Sequence, residues 1–184
     1  MTVLTPFEKQ SDQDRLKDYI DEAKQLPMFR GGSIQFDAIV WDLRGYVNIP
    51  NSKTHTKIGF KTLETGGRRA LADMEPLPQP LQDTAKAIVA HAIHRNGSDL
   101  KSPATYFDRL AAIKHLCRFL TANGSSHDLT KISAGTIRQF INSVSAQLHL
   151  SYLRAIIKEL NSRNICLHLS GISFSKPKRN GRRA

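Results

Sequence analysis

The stretch SPATYFDRLAAIKHLCRFLTANG, residues 102–124, decides the fold. Its first two residues, Ser102 and Pro103, are typical of a helix start, because serine caps free backbone N–H groups and proline fits the first helical turn. Asn123 and Gly124 form a matching stop signal. Between these signals, apolar residues recur at helical spacing: Leu110, Ile113, Cys117 and Leu120. The stretch therefore predicts one long helix that buries one face.

Helical patterns continue on both sides of this stretch. They predict further helices over residues 81–95, 134–146 and 150–162, joined by short loops. The last of these repeats the apolar stripe with Leu150, Leu153, Ile157 and Leu160. Near the end of the chain, only residues 167–174 have the pattern of an extended segment. Residues 80–175 therefore predict an all-α unit of four helices.

Residues 1–75 have a different pattern. A helix is predicted over residues 6–25, and the glycines of FRGGS predict a turn after it. Three short strands are predicted next, in SIQFDAIVWDL (33–43), in YVNI (46–49) and in KIGFKTL (57–63), with Trp41 in the core of the small sheet. The Pro-rich EPLPQP predicts a domain boundary near residues 75–80. The chain is thus expected to be α+β, with a small helix-plus-sheet region over residues 1–75, a helical domain over residues 80–175 and a basic linker over residues 176–184.

The positive charge lies in one half of the chain. Residues 1–89 hold 12 Lys and Arg against 12 Asp and Glu, whereas residues 90–184 hold 15 against 4. A half-chain this basic attracts polyanions, of which nucleic acid is the usual one, although a basic surface that only confers solubility is the alternative. No apolar run approaches the roughly 18 residues that span a bilayer. The short apolar runs lead us to expect no membrane partner. The two cysteines form no CxxC pair, which favours a reducing, cytoplasmic location.

Two predicted helices carry a basic pair beside the core stripe. Lys114 and Arg118 are four residues apart in one helix, and Arg154 and Lys158 are four apart in another. Few carboxylates lie at the spacing that would neutralise them. These pairs predict contacts with the phosphates of a duplex. An ordinary solvated helix surface is the alternative.

Other motifs give weaker signals. His91 and His94 lie three apart on a helix, as metal ligands can, but no third ligand accompanies them and no metal or other cofactor is expected. Cys117 lies on the core stripe, which favours a buried, inert thiol. No arrangement of nucleophile and base is present, so no catalytic residue is predicted.

Three segments together resemble the core-binding domain of the tyrosine recombinases, the phage-integrase type. They are SPATYFDRLAAIKHLCRFLTANG, LTKISAGTIRQFINSV and LSYLRAIIKELNSRNI, and the resemblance covers about half of the chain. The residues of LRAIIKEL, 153–160, fit the last helix pattern of that family position by position.

The resemblance implies a four-helix, SAM-like module that binds duplex DNA at a recombination site, as one half of a clamp around the DNA. The other half, the catalytic domain with its arginines, histidines and nucleophilic tyrosine, is not matched, so the chain is expected to be a non-catalytic N-terminal fragment of a site-specific recombinase. Tyr106 and Tyr152 lie in the binding half and are not expected to be nucleophiles. The implied partners are DNA and other recombinase protomers in a bacterial, nucleoid-associated setting.

The residues expected at the DNA come from three parts of the chain. The first helix of the resemblance contributes Lys101, Ser102, Thr105, Lys114 and Arg118. The last helix contributes His149, Ser151, Arg154 and Lys158. The tail SKPKRNGRRA, interpreted as a linker beside the duplex, contributes Lys176, Lys178, Arg179, Arg182 and Arg183. The competing hypothesis is a stand-alone protein-interaction module in which this tail is a targeting signal or binds an acidic partner.

Overall fold

The computed structural model describes residues 10–46, 57–62, 74–96, 104–145 and 147–174, without the side chains of residues 96, 104 and 105. Within these ranges it contains five α-helices and a small antiparallel sheet, so the predicted α+β class is confirmed at this level. The helices are α1 (Asp12–Lys24), α2 (Gln79–Asn96), α3 (Ala104–Ala122), α4 (Ala134–Ser143) and α5 (Gln147–Ser162). The strands are β1 (Val40–Asp42) and β2 (Lys57–Gly59).

Helix α1 begins later than predicted. Ser11 is its N-cap and has an extended backbone, and the Ser11 hydroxyl accepts a hydrogen bond from the N–H of Asp14. The Asp14 carboxylate accepts one from the N–H of Ser11 in return, which completes a capping box. The predicted start at residue 6 is therefore wrong for residues 10 and 11, and residues 1–9 lie outside the described part. The buried face of α1 consists of Leu16, Tyr19 and Ala23.

The small sheet is shorter than predicted. In the predicted strand over residues 33–43, only β1 pairs with β2, with Trp41 opposite Ile58. A turn replaces the strand before β1, where the N–H of Ala38 donates to the carbonyl of Gln35 at 3.1 Å. The period-two alternation misled because Ile34 and Phe36 are buried in this turn without being in a strand. The predicted strand over residues 46–49 lies mostly outside the described residues.

Aromatic packing holds this small sheet. Trp41 is fully buried, as predicted, and its ring lies 4.6 Å from that of Phe60 and 5.1 Å from that of Phe29. The FRGGS segment forms the predicted turn, in which Gly31 has φ +76°. Gly32 has no room for a side chain, since an added Cβ would lie 2.1 Å from the Met28 carbonyl oxygen.

The predicted boundary segment connects the sheet to the helices. Pro76 and Lys61 form an isolated antiparallel β-bridge, and the N–H of Leu77 donates to the carbonyl of Phe60 at 3.0 Å. Pro80 then lies in the first turn of α2, where the missing N–H is not needed. Helix α1 packs on α2, and buried residues on both sides of residues 75–80 belong to one hydrophobic core. The division into two domains stays a prediction.

Helices α2 to α5 follow the predicted order with shifted ends. Helix α4 ends at Ser143 instead of residue 146, because Val144 has an extended backbone. Helix α5 begins at Gln147, three residues earlier than predicted. Gly124 ends α3 as predicted, with φ +60°, and the N–H of Ser125 returns to the Leu120 carbonyl. The predicted stop after α2 and start signal of α3 lie outside the described residues.

Residues 167–174 were predicted to be extended, and this is wrong for their first part. Leu167–Leu169 forms a 3-10 turn. The chain reverses before it through Asn164 and Cys166, which have φ +57° and +55°. The N–H of Leu169 then donates to the carbonyl of Cys166 at 2.9 Å. The alternating apolar residues reflect how this turn packs into the core.

Candidate nucleic-acid interface

Helix α3 buries the predicted stripe and leaves a basic edge. Leu110, Ile113, Cys117 and Leu120 are all buried, which confirms the stripe. Beside them Arg118 is exposed, while Lys114 is half-buried. Burial lowers the pKa of Lys114, because desolvation disfavours its charged form. Arg118 is therefore the more accessible cation of this predicted pair.

Helix α5 repeats the arrangement. Leu150, Leu153, Ile157 and Leu160 are buried, and Arg154 and Lys158 are both exposed. Within the described ranges, no carboxylate lies within ion-pair distance of Arg118, Arg154 or Lys158. Their charges are thus free to act on a ligand.

Glu159, the only carboxylate of α5, is bound elsewhere. It is 9% exposed and accepts hydrogen bonds from the Tyr19 hydroxyl (2.7 Å), from Arg95 (2.6 Å) and from Arg109 (3.3 Å). Burial and the Glu159 charge both raise the pKa of Tyr19, so the phenol remains a neutral donor. One carboxylate thus joins α1, α2, α3 and α5.

The predicted DNA-binding residues fall around three separate concavities. Arg118 and His149 line a cavity between the ends of α3 and α4 and the start of α5. Ser151 and Arg154 line a second one, beside Phe174. Lys158 lies in a third. The structure therefore forms two pairs of predicted residues, leaves Lys158 as the single predicted residue of the third concavity, and places Lys114 in none of the three.

The third concavity contains two cations that the sequence pattern does not indicate. Arg95 and Arg109 line it together with Lys158 and Glu159. Three cations around one carboxylate leave the concavity with a positive excess, in a volume of about 450 Å³. Spacing along one helix cannot show this, since the three cations come from three different helices. Arg138 on α4 is a further exposed basic residue that was missed.

His149 and Ser151 have different environments. The ring of His149 lies 4.1 Å from that of His115 on α3. Its Nδ1 is buried and has no hydrogen-bond partner among the described atoms. The Ser151 hydroxyl donates to the Gln147 carbonyl of its own helix at 3.2 Å, which leaves its oxygen able to accept but occupies its proton.

Seven of the predicted DNA-binding residues lie outside the described residues: Lys101, Ser102, Lys176, Lys178, Arg179, Arg182 and Arg183. The side chain of Thr105 is also outside them, although its backbone belongs to α3. Their part in the interface stays a prediction.

The remaining polar groups are engaged in the fold. His91 is buried against Tyr19, with ring centroids 4.3 Å apart and its Nε2 at 3.1 Å from the Tyr19 carbonyl oxygen. Tyr152 donates its hydroxyl proton to Asp108 at 3.0 Å. Burial raises the pKa of Cys166 to about 12. Among the described residues, no three His, Cys, Asp or Glu side chains are placed to hold a metal ion.

The described helices include none with the length and apolar character needed to cross a membrane. No family model, curated protein or solved structure matches this chain.

Proposed function

We propose that the chain binds duplex DNA through the basic surfaces of α3 and α5, as a DNA-binding module of the tyrosine-recombinase type. The observation that carries this proposal is a set of three exposed cations, Arg118, Arg154 and Lys158, on two helices that pack against each other. None of them forms an ion pair with a carboxylate of the described residues. On α1, by contrast, Arg15 and Lys24 each pair with an aspartate of their own helix. The exposed Lys17 of α1 has no such ion pair, but it lines a concavity together with the carboxylates Asp21, Asp83 and Asp128. The charges of Arg118, Arg154 and Lys158 are therefore left for a partner.

The chemistry of a duplex suits these cations. Phosphates repeat along both strands, and each phosphate that a Lys or Arg neutralises releases a condensed counterion. The two guanidinium groups can additionally bind a guanine edge with two hydrogen bonds, which is the commonest base-specific contact. Sequence-specific binding is part of the proposal for this reason.

The wider proposal follows from the order of the helices. Helices α2 to α5 would form the four-helix, SAM-like core-binding unit, while α1 and the small sheet brace it through Tyr19 and the α1–α2 contact. Other recombinase protomers on the same DNA would be the protein partners, and a bacterial, nucleoid-associated location in the cytoplasm would follow. The described part of the chain contributes DNA binding to this scheme and no catalytic step.

The experiment that tests the proposal compares duplex binding of three proteins by fluorescence anisotropy in about 0.1 M salt. They are the unmodified chain, the variant with Arg154→Ala and Lys158→Ala, and a control with Lys17→Ala and Lys24→Ala. Both variants lose two positive charges, but the control loses them from α1. Each phosphate contact raises the affinity roughly eightfold at 0.1 M salt relative to 1 M salt. The first variant loses two such contacts and should therefore bind the duplex roughly 60-fold more weakly than the unmodified chain.

The control should bind within about threefold of the unmodified chain, since distant exposed charges are screened beyond a Debye length. Equal weakening of both variants would show that only net charge matters, and the proposal would be wrong. If the unmodified chain bound no duplex, while deletion of residues 176–184 abolished binding of an acidic protein partner, the interaction-module hypothesis would replace it.

A further inference from the structure

The cavity between α3, α4 and α5 has one apolar wall and one polar wall. Its volume is about 400 Å³. Phe119 and Phe140 form the apolar wall and pack edge to face with ring centroids 5.4 Å apart. His115, Arg118 and His149 form the polar wall. A small ligand with one charged, hydrogen-bonding group fits this division.

The burial of one ring nitrogen of His149 favours one of its two neutral tautomers. The Nδ1 of His149 is buried without a partner among the described atoms, and a proton placed there would be an unsatisfied buried donor. The neutral ring therefore carries its proton on Nε2. Burial lowers the pKa of His115, and the nearby His149 and Arg118 lower it further. Among the described residues that line the cavity, Arg118 is the permanently charged cation.

Among the described residues, no carboxylate lines this cavity, so a bound anion meets no repulsion from these walls. The ionisable groups that face His115 are Arg118 from α3 and His149 from α5, and α4 and its end contribute the uncharged Ser143 and Ser145. An anion beside His115 would raise the pKa of this ring, because an opposite charge favours the protonated form. It would thereby offset the lowering of that pKa by burial and by the two neighbouring groups.

We propose that this cavity binds one phosphate group, held by the guanidinium of Arg118 and the ring N–H groups of His115 and His149, with uptake of a proton by His115. If the phosphate belongs to a DNA backbone, this inference rests on the proposed function. Binding would then be linked to pH, and affinity would rise as pH falls through the titration of His115. Because one proton is linked to binding, the affinity can change by at most about tenfold per pH unit.

The first test is an NMR titration of the imidazole signals of the full chain between pH 5 and 8, with and without inorganic phosphate. Phosphate should raise the pKa of His115, and Arg118→Gln should abolish this effect. The signals of the exposed His94 on α2 should titrate equally in both conditions. If phosphate leaves the titration of His115 unchanged, or shifts His94 as much, the inference is overturned.

The second test measures duplex affinity over the same pH range for the unmodified chain, for His115→Gln and for the control His94→Gln. Loss of the pH dependence in His115→Gln alone assigns the phosphate to the DNA backbone. A phosphate effect on His115 together with unchanged duplex binding assigns it to a small phosphorylated molecule. Salt-dependent duplex binding without any phosphate effect would refute the cavity inference and leave the proposed function intact.

Discussion

Replacing Glu159 by Gln tests the network that joins four helices. The carboxylate is 9% exposed and accepts hydrogen bonds from Tyr19, Arg95 and Arg109. Hydrogen bonds to a charged group contribute about 1.5–3 kcal/mol each, but Arg95 is 55% exposed and the glutamine retains one acceptor oxygen. We therefore expect the free energy of unfolding to fall by about 2 kcal/mol. For a chain of this length that corresponds to a Tm lower by about 4–8 °C.

The assay is thermal unfolding followed by circular dichroism, with Glu22→Gln as the matched control. Glu22 pairs with Arg163, and both side chains are at least half exposed, so this pair should contribute less than about 1 kcal/mol. In the same Glu159→Gln protein, duplex affinity should rise, since the variant removes the carboxylate beside Lys158 and frees Arg95 and Arg109. A Tm unchanged within error, or equal losses in both variants, would refute the assigned role of Glu159.

Three further predictions concern stability and burial elsewhere in the fold. Lys86 is buried, its ammonium donates to the Asp37 carbonyl, and burial lowers its pKa. The unfolded chain keeps this proton to a higher pH than the folded chain does, so the free energy of unfolding should rise as the pH increases from the lowered pKa towards 10.5. In denaturant titrations, Lys86→Met should remove this rise. Gly32→Ala places a Cβ 2.1 Å from the Met28 carbonyl oxygen and should lower stability by about 1–3 kcal/mol in chemical denaturation, so an unchanged midpoint would contradict the described turn. Cys166 is buried and its pKa is raised to about 12, so an iodoacetamide assay should show alkylation only after unfolding, and rapid labelling of the native chain would contradict its burial.

The helical part of the fold could be read from the sequence because its signals are local. The stripe of α3 repeats at helical spacing, and Asn123 and Gly124 end it where they were expected to. Residues 33–39 and 167–174 misled because buried turns can also alternate apolar and polar residues. The second of these follows a chain reversal in which Asn164 and Cys166 adopt positive φ. Asparagine is a common residue type at positive φ and follows the end of α5, so it was an available signal, whereas cysteine gives none.

The candidate site was only partly predictable for a different reason. Arg118, Arg154 and Lys158 could be found because each lies beside a core stripe of its own helix. Arg95 and Arg109 join Lys158 only through the packing of three helices, and periodicity carries no information on which helices meet. For the same reason, periodicity could not predict the contact of His115 with His149 or the partners of Glu159.

The salt dependence of duplex binding tests the central claim most directly. We predict that the logarithm of the association constant falls linearly with the logarithm of salt concentration, and that Arg154→Ala with Lys158→Ala reduces the slope by about 1.8. The α1 control with Lys17→Ala and Lys24→Ala should retain the slope of the unmodified chain. Binding that does not depend on salt, or a slope that the Arg154 and Lys158 substitutions leave unchanged, would contradict the assignment of α3 and α5 as the DNA-binding surface.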